Sequence, residues 1–286
     1  MYFGIEAGGT KFNCAVGQGT DLVAEARIPT AAPGETLDAC VSFFEQARRD
    51  HGAPSAIGIA TFGPVDLDTG IIGATPKEGW IGANLTEPFG RFECPISLET
   101  DVTGAAIGEA MHGAGKGLDP LVYLTVGTGV GGGAIVGGRP LHGDPHPEMG
   151  HIPVTRADGD EFEGTCPHHR SCLEGLACGP AISARWGRPS HDLGPSLGPA
   201  IALESRYLAQ GIAAIVAVLA PRRVILGGGV MEISGMLGAT RSALAEVLQG
   251  YPGAASHDDL GEFLVPPGLG SRAGIVGALE MAARVG

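Results

Sequence analysis

Five glycines occupy seven positions at residues 127–133, where the sequence reads Gly-Thr-Gly-Val-Gly-Gly-Gly between two apolar segments. The flanking segments, Val122–Val126 and Ala134–Val136, are typical of β-strands, so the pattern predicts a hairpin. A tight hairpin turn needs only one or two glycines. The additional glycines indicate that another group approaches this backbone closely.

A second glycine turn, Gly8–Lys11, lies between the strand-like segment Tyr2–Ile5 and the apolar segment Phe12–Val16. It repeats the plan of strand, glycine turn and strand without repeating residue identities. Converging N–H groups, a hydroxyl and an ammonium suit a phosphate group, although a plain hairpin turn explains these residues equally well. Neither glycine turn has P-loop spacing or opens a helix, so the two hairpins are predicted to hold nucleotide phosphates in place of the commoner motifs.

A third glycine turn, Gly227–Gly229, follows the apolar strand predicted at Val224–Leu226. Consecutive glycines offer a flat surface on which an adenine or ribose can lie. A plain connection between a strand and a helix accounts for the turn equally well. The residues alone leave both interpretations open.

Asp101 lies between the first two glycine turns in the sequence, at the expected start of a helix over Val102–His112. A carboxylate there is typical of a helix N-cap, which stabilises a helix by about 1 kcal/mol. It also suits phosphoryl transfer, because a carboxylate can accept the proton of the attacking hydroxyl. Taken alone, Asp101 is better explained as a cap.

Cysteines and histidines cluster within residues 142–178, an irregular segment too long for an idle connection in a compact domain. The pattern of a histidine followed by Cys-x-x-His-x-x-Cys supplies four donors that can close a tetrahedral zinc site. The four are His151, Cys166, His169 and Cys172. The spacing leaves open whether His168 replaces His169, and whether Cys178 is a bystander in the following helix.

Two carboxylates flank this cluster, since Glu148 shortly precedes His151 and Glu174 closely follows Cys172. A metal that orders the segment would bring both carboxylates near one place, where they can bind sugar hydroxyls. Each carboxylate alone is explained as a solvated loop charge.

The acidic composition argues against one broad class of partner. The formal net charge is −13, which repels nucleic acid phosphates. No secretory leader and no run of about 18 apolar residues is evident in the sequence. We therefore expect a cytoplasmic protein that binds neither nucleic acid nor membranes.

Together these motifs resemble the ROK family (repressors, open reading frames, kinases), and within it the bacterial fructokinase branch. The resemblance runs along the whole chain and is specific because so many separate motifs agree. The motifs are Gly4–Phe12, Thr61–Pro64, Glu99–Val102, the loop beginning at Gly127, His146–His151 and Cys166–Gly175.

The resemblance implies an α/β chain with the actin-like ATPase (ribonuclease H-like) fold, in which two domains surround a cleft. The expected boundaries are 1–115 for a small N-terminal domain, to which a helix at about 273–286 returns, and 116–272 for a larger domain with the zinc-binding loop. A homodimer is expected by resemblance only.

The implied activity is that of an ATP-dependent hexose kinase, specifically a fructokinase, which transfers the γ-phosphate of ATP to a sugar 6-hydroxyl with Asp101 as general base. The resemblance also implies Mg²⁺ with ATP and a structural zinc. The implied nucleotide ligands are Gly8, Gly9, Thr10, Lys11, Gly127, Thr128, Gly129, Gly131, Gly132, Pro180, Gly227, Gly228 and Gly229. The implied sugar ligands are Asn84, Asp101, Glu148, His151 and Glu174, with His151 also binding zinc.

Several alternatives remain within and beyond this interpretation. Mannokinase or glucokinase activity is the rival within the family, because hexoses differ by little more than hydroxyl placement. A non-catalytic sugar sensor would be expected to lack Asp101 or a glycine loop. A repressor is disfavoured because the first turn begins at Gly8, leaving no room for a helix-turn-helix before it, and because of the negative charge. Glu6, where many relatives carry Asp, and Cys-x-x-His, where many have Cys-x-Cys, both fit the fructokinase branch.

Overall fold

The computed structural model of this 286-residue chain describes residues 1–75, 77, 79–144, 146–251 and 260–286. The chain divides into two compact units. Unit 1 contains Met1–Lys116 and Gly268–Gly286, and unit 2 contains Gly117–Pro267. Each unit has one five-stranded sheet with helices, so both are α/β units.

The sheet of unit 1 consists of β1 (Tyr2–Ala7), β2 (Lys11–Gln18), β3 (Asp21–Pro29), β4 (Ala56–Thr61) and β5 (Ile96–Thr100). Its strand order is β3-β2-β1-β4-β5, with antiparallel pairing among β1, β2 and β3 and parallel pairing from β1 through β4 to β5. Every residue of β4 is buried, as expected for a strand between parallel neighbours. The antiparallel edge strand β3 alternates between exposed and half-buried residues.

Three α-helices cover this sheet: α1 (Pro33–His51), α2 (Asp101–His112) and α8 (Ala273–Ala283). Proline begins α1, where its missing N–H costs nothing, and apolar residues at helical spacing bury one face of that helix. Helices α2 and α8 approach backbone to backbone, because a Cβ on Gly277 would lie 1.7 Å from the Gly104 carbonyl oxygen. This contact fixes the C-terminal helix against the helix that begins at Asp101.

Unit 2 contains β6 (Leu121–Val126), β7 (Val130–Val136), β8 (Arg139–Pro140), β9 (Arg223–Gly227) and β10 (Leu264–Val265). Its strand order is β10-β9-β6-β7-β8. Pairing is antiparallel among β6, β7 and β8, and parallel from β6 through β9 to β10. The two sheets therefore share one strand order and one set of directions, and the repeated plan of strand, glycine turn and strand occurs in both.

The helices of unit 2 are α3 (Leu173–Ala177), α4 (Gly179–Trp186), α5 (Leu197–Leu219), α6 (Met236–Leu248) and α7 (Leu260–Phe263). Among the described helices, the stretch Gly194–Leu219, which contains α5, is long and apolar enough to cross a membrane by length and composition. We expected no apolar run long enough to cross a membrane, so this stretch is more apolar than predicted. Half of its most apolar window is buried, with Tyr207, Leu208 and Ile212 in the core of unit 2, which is the behaviour of a core helix.

Candidate active site

The first part of the candidate site is the carboxyl edge of the unit 1 sheet, where the parallel strands β1, β4 and β5 end. Ala7, Thr61 and Thr100 are register partners at these ends. The Gly8 turn follows Ala7, and Asp101 follows Thr100. Two strand spacings, about 10 Å, separate these chain positions. Ligands of open α/β sheets bind at this kind of edge, and here it carries both a glycine turn and a carboxylate.

The Gly8 turn is a tight hairpin. The Gly8 N–H donates to the Lys11 carbonyl at 2.9 Å, and the Thr30 hydroxyl donates to the Gly8 carbonyl at 2.9 Å. Gly9 and Thr10 are exposed at its tip. Lys77 donates to the Gly9 carbonyl and lies over the Phe62 ring at 5.6 Å. This ammonium group was missed by the sequence interpretation, because Lys77 belongs to no motif and reaches the turn only through the fold.

The expected N-cap of α2 is corrected by one residue. Thr100 is the cap, because its hydroxyl oxygen accepts the Thr103 N–H at 3.2 Å, and Asp101 is the first helical residue. Asp101 Oδ1 accepts the Val102 N–H at 2.8 Å. Thr100 has the extended backbone that a cap requires. The capping function therefore does not account for Asp101.

Asn84, a predicted sugar ligand, has a local structural function in unit 1. Its Oδ1 accepts the N–H groups of Thr86 and Glu87, each at 2.9 Å, at the start of the 3-10 helix Glu87–Phe92. Its Nδ2 donates to the Thr69 carbonyl at 3.0 Å. These bonds explain an asparagine at this position without a ligand, and its contact with sugar stays a prediction.

The second part of the candidate site lies in unit 2, at the turn between β6 and β7. The predicted loop over 127–133 is shorter than expected, because β7 begins at Val130. Gly131 and Gly132 are strand residues that pair with Thr125 and Leu124. Gly132 lacks a side chain because a Cβ there would lie 2.7 Å from Met149 Sδ. The turn itself is Gly127–Gly129, closed by the Gly127 N–H donating to the Gly129 carbonyl at 2.8 Å.

The third glycine turn and the start of α4 lie beside this loop. A Cβ on Gly127 would be 3.9 Å from the Gly229 nitrogen, and one on Gly228 would be 2.4 Å from the Val126 carbonyl oxygen. The Gly179 N–H donates to the Gly127 carbonyl at 2.7 Å, next to Pro180 at the exposed start of α4. The residues predicted to hold phosphate and to border adenosine within unit 2 therefore form one cluster of backbone turns.

The four predicted metal ligands come together in unit 2. One donor atom from each of His151, Cys166, His169 and Cys172 lies within 4.8 Å of the others. His151 Nδ1 is 3.5 Å from Cys172 Sγ and 3.7 Å from Cys166 Sγ, and His169 Nδ1 is 3.8 Å from Cys166 Sγ. Tetrahedral zinc, with bonds of about 2.3 Å to sulfur and 2.0 Å to nitrogen, separates its ligands by roughly 3.3–3.8 Å. The donor set therefore fits zinc, and His169 rather than His168 supplies the fourth atom.

A backbone N–H points to each of the two cysteine sulfurs. The His169 N–H points to Cys166 Sγ at 3.4 Å, and the Gly175 N–H points to Cys172 Sγ at 3.5 Å. Burial raises the pKa of Cys172 to about 11, with the neighbouring Cys166 adding to the effect. Without a cation the Cys172 thiol therefore stays protonated at neutral pH, and binding of zinc would release its proton.

The two carboxylates flanking the cluster have different partners. Glu148 is paired with His146 at 3.1 Å, and that hydrogen bond lowers the pKa of Glu148 despite partial burial. Glu174 Oε2 accepts the Val130 N–H at 3.0 Å, at the end of the mid-chain glycine turn. Both carboxylates belong to residues 142–178, the metal segment. Of the two, Glu174 is the one that is hydrogen-bonded to the glycine turn.

A buried ion-pair network holds the segment between His151 and Cys166. Arg185 of α4 is paired with Asp160 at 3.2 Å and also donates to Glu204, whose side chain is fully buried. The Tyr207 hydroxyl donates to Asp160 and accepts the Ala157 N–H at 3.2 Å. Burial raises the pKa of Glu204 to about 7, although Arg185 acts in the opposite direction. No motif in the sequence indicates this network, because its members lie on separate elements.

Comparison with known proteins gives three findings along nearly the whole chain. Residues 2–285 match the ROK family model. The chain is 42% identical to a fructokinase of Zymomonas mobilis subsp. mobilis (99% of this chain and 96% of the relative covered) and 27% identical to a glucokinase of Streptomyces coelicolor (99% and 97%). A crystal structure of a ROK hexokinase from Thermus thermophilus superposes with a TM-score of 0.83 at 30% identity, covering 99% of this chain and 98% of that one.

Proposed function

We propose that this chain, which belongs to the ROK family, is a fructokinase that transfers the γ-phosphate of ATP to the 6-hydroxyl of fructose. The family and the actin-like ATPase fold expected from the motifs are confirmed by the comparisons. The observation that carries the proposed chemistry is the position of Asp101 directly after β5, at the same sheet edge as the Gly8 turn. The greater similarity to a fructokinase than to a glucokinase supports fructose as the acceptor.

Asp101 acts as the general base in this proposal. A carboxylate oxygen of Asp101 accepts the proton of the sugar hydroxyl while the sugar oxygen forms a bond to the γ-phosphorus. The bond between the γ-phosphorus and its bridging oxygen breaks, and ADP leaves with that oxygen. Because Thr100 caps α2, the capping bond to the Thr103 N–H does not depend on the protonation of Asp101.

We assign the phosphates of ATP to the turns Gly8–Lys11 and Gly127–Gly129, with Gly131 and Gly132 behind the second turn. Backbone N–H groups and the Lys11 ammonium would bind the phosphate oxygens. Pro180 and Gly227–Gly229 would border the adenosine. The chemistry that a bound Mg²⁺ supplies is neutralisation of phosphate charge.

We assign the sugar hydroxyls to Asn84, Asp101, Glu148, His151 and Glu174. The zinc ligands are His151, Cys166, His169 and Cys172, whose separations support a structural tetrahedral site. By resemblance we also propose a homodimer that acts in the cytoplasm. Light scattering of the purified protein tests the homodimer.

A coupled assay of ADP release across fructose, mannose, glucose and N-acetylated hexosamines tests the proposed function. Fructose is expected to give the highest kcat/KM. Fructose turnover no better than glucose or mannose would assign the chain to a glucokinase or mannokinase activity, and absence of turnover with every sugar would favour a sensor. The Asp101→Asn protein in the same assay shows whether the measured activity belongs to this chain.

A further inference from the structure

Glu174 lies on α3, immediately beyond the metal ligand Cys172, and its carboxylate extends to the mid-chain glycine turn. Its Oε2 accepts the Val130 N–H at 3.0 Å. A Cβ on Gly129 would lie 2.6 Å from the same oxygen, so the carboxylate also packs on the Gly129 backbone. A charged acceptor on a backbone N–H makes a stronger bond than a neutral acceptor does.

From these contacts we propose that Glu174 is a positioning residue for the turn Gly127–Val130, through which the metal segment sets the conformation of the phosphate-binding backbone. The inference rests on the proposed function in that the turn binds nucleotide phosphate. It differs from the sugar contact implied by family resemblance, because the contact described here is with the protein's own backbone.

Two further contacts hold the same turn, one from Gly150 of the metal segment (residues 142–178) and one from Gly179, directly after it. Gly150, next to the ligand His151, packs on the Val130 carbonyl oxygen so closely that a Cβ would lie 1.8 Å from that oxygen. At the other end of the turn, the Gly179 N–H donates to the Gly127 carbonyl at 2.7 Å. Two carbonyl groups of the turn are therefore in contact with backbone from residues 142–178 or from Gly179, which directly follows them.

The two oxygens of Glu174 can bind two different partners, the backbone of the turn and the sugar. Oε2 is committed to Val130, which leaves Oε1 for a sugar hydroxyl. A sugar that holds Oε1 would then also hold the carboxylate in the orientation that binds Val130. Binding of sugar should therefore tighten binding of nucleotide, and the coupling should depend on Glu174.

The test measures two properties that do not require turnover: exchange of the Val130 amide hydrogen by NMR, and affinity for ADP with Mg²⁺ by calorimetry. We expect Glu174→Ala to increase Val130 exchange and to weaken ADP binding about tenfold, as for loss of a charge-assisted hydrogen bond. Glu174→Gln keeps an acceptor oxygen and should restore both properties to within about threefold of wild type.

Glu174→Asp is the second variant, since it keeps the charge but withdraws the carboxylate by about 1.5 Å. It should expose the Val130 amide to exchange as Glu174→Ala does. If the alanine protein does not fold, the aspartate variant alone tests the positioning role of Glu174. Glu161→Ala is the matched control, because Glu161 is an exposed carboxylate of residues 142–178 that lies outside the proposed site. Its Val130 exchange and ADP affinity should equal those of wild type.

Unchanged Val130 exchange and ADP affinity in Glu174→Asp would overturn the inference. Equal changes in Glu161→Ala and Glu174→Ala would also overturn it, because the effect would then come from the charge of the segment. Failure of the proposed function has a different signature: wild-type protein would phosphorylate no hexose, while the exchange experiment would still report the Glu174 contact.

Discussion

The Thr100 hydroxyl accepts the Thr103 N–H at 3.2 Å and donates to the Thr103 hydroxyl at 2.8 Å. These bonds close the first turn of α2 with neutral side chains. The adjacent Asp101 therefore begins the helix without being its cap. A carboxylate in the first turn also lies near the positive end of the helix dipole, an arrangement that stabilises the helix.

Because Thr100 rather than Asp101 caps α2, a substitution of Asp101 can test catalysis separately from helix capping. Asp101→Asn should lower kcat by roughly 10²–10⁴-fold, because the proton acceptor disappears. Its thermal unfolding and its affinity for ADP and fructose should stay near wild type. Thr100→Val is the matched control and should reverse the pattern, losing about 1 kcal/mol of stability while keeping the base. Near-normal turnover in Asp101→Asn would refute the assignment.

The Cys and His cluster predicts bound metal. Purified protein should contain about one zinc per chain, as one tetrahedral set of donors requires. Cys172→Ser should lose that zinc and unfold at a lower temperature, because binding free energy of a structural zinc contributes to folding. Cys178→Ser is the control, since Cys178 is buried nearby, 3.7 Å from the Thr165 hydroxyl, but outside the cluster. Elemental analysis that finds no metal in the wild-type protein would contradict the site.

Glu204 should make stability depend on pH. Its pKa is raised by burial from 4.5 to about 7, so the folded protein keeps a proton that the unfolded chain releases between these values. Its contribution is therefore fully present below about pH 4.5 and is lost as pH rises through about 7, by roughly 3 kcal/mol at most.

The variant Glu204→Gln removes this titration and should gain stability relative to wild type between pH 5 and 8. Denaturant unfolding at both pH values measures the change. Glu246→Gln, at an exposed position of α6, is the control and should track wild type at both. Parallel behaviour of Glu204→Gln and wild type would show that Arg185 holds Glu204 ionised throughout the range.

Substitution of Glu109 in unit 1 should strongly lower the free energy of unfolding. Its buried carboxylate accepts three backbone N–H groups, from Ala114 at 2.7 Å, Gly268 at 3.0 Å and Leu269 at 2.8 Å. Glu109→Gln replaces one acceptor oxygen of the buried carboxylate with a donor and leaves at least one of these N–H groups without its partner. Its free energy of unfolding should fall by about 2–4 kcal/mol.

Glu45 is the control position for the Glu109 prediction. Its carboxylate pairs with Arg48 at 3.1 Å on the surface of α1. Glu45→Gln should cost less than about 1 kcal/mol, because surface ion pairs contribute little. Denaturant unfolding of the two variants side by side tests the difference. Equal losses would show that the Glu109 bonds are replaced by other contacts.

Local sequence determined several of the structural elements and much of the candidate site of this protein. Short-range patterns predict the glycine turns, the strands beside them, the start of α2 near Asp101 and the cluster of four candidate metal ligands. Such patterns are informative because backbone conformation at glycine and the spacing of metal ligands depend on neighbours in the chain. Their combination was sufficient to identify the family. The edge strand β3 also carries a visible alternation, at Leu22, Ala24, Ala26 and Ile28, which the sequence interpretation did not use.

The long-range contacts between these motifs and distant parts of the chain were decided by the tertiary structure alone. Glu174 reaches Val130 across 44 positions of sequence, and Glu109 binds Leu269 across 160. No local pattern encodes such pairs, because burial and hydrogen bonding between distant elements depend on how the sheets and helices pack. The sequence determined which chemical groups this chain possesses. Only the fold decided that Thr100 rather than Asp101 caps α2, and that a carboxylate beside the metal ligands holds the glycine turn.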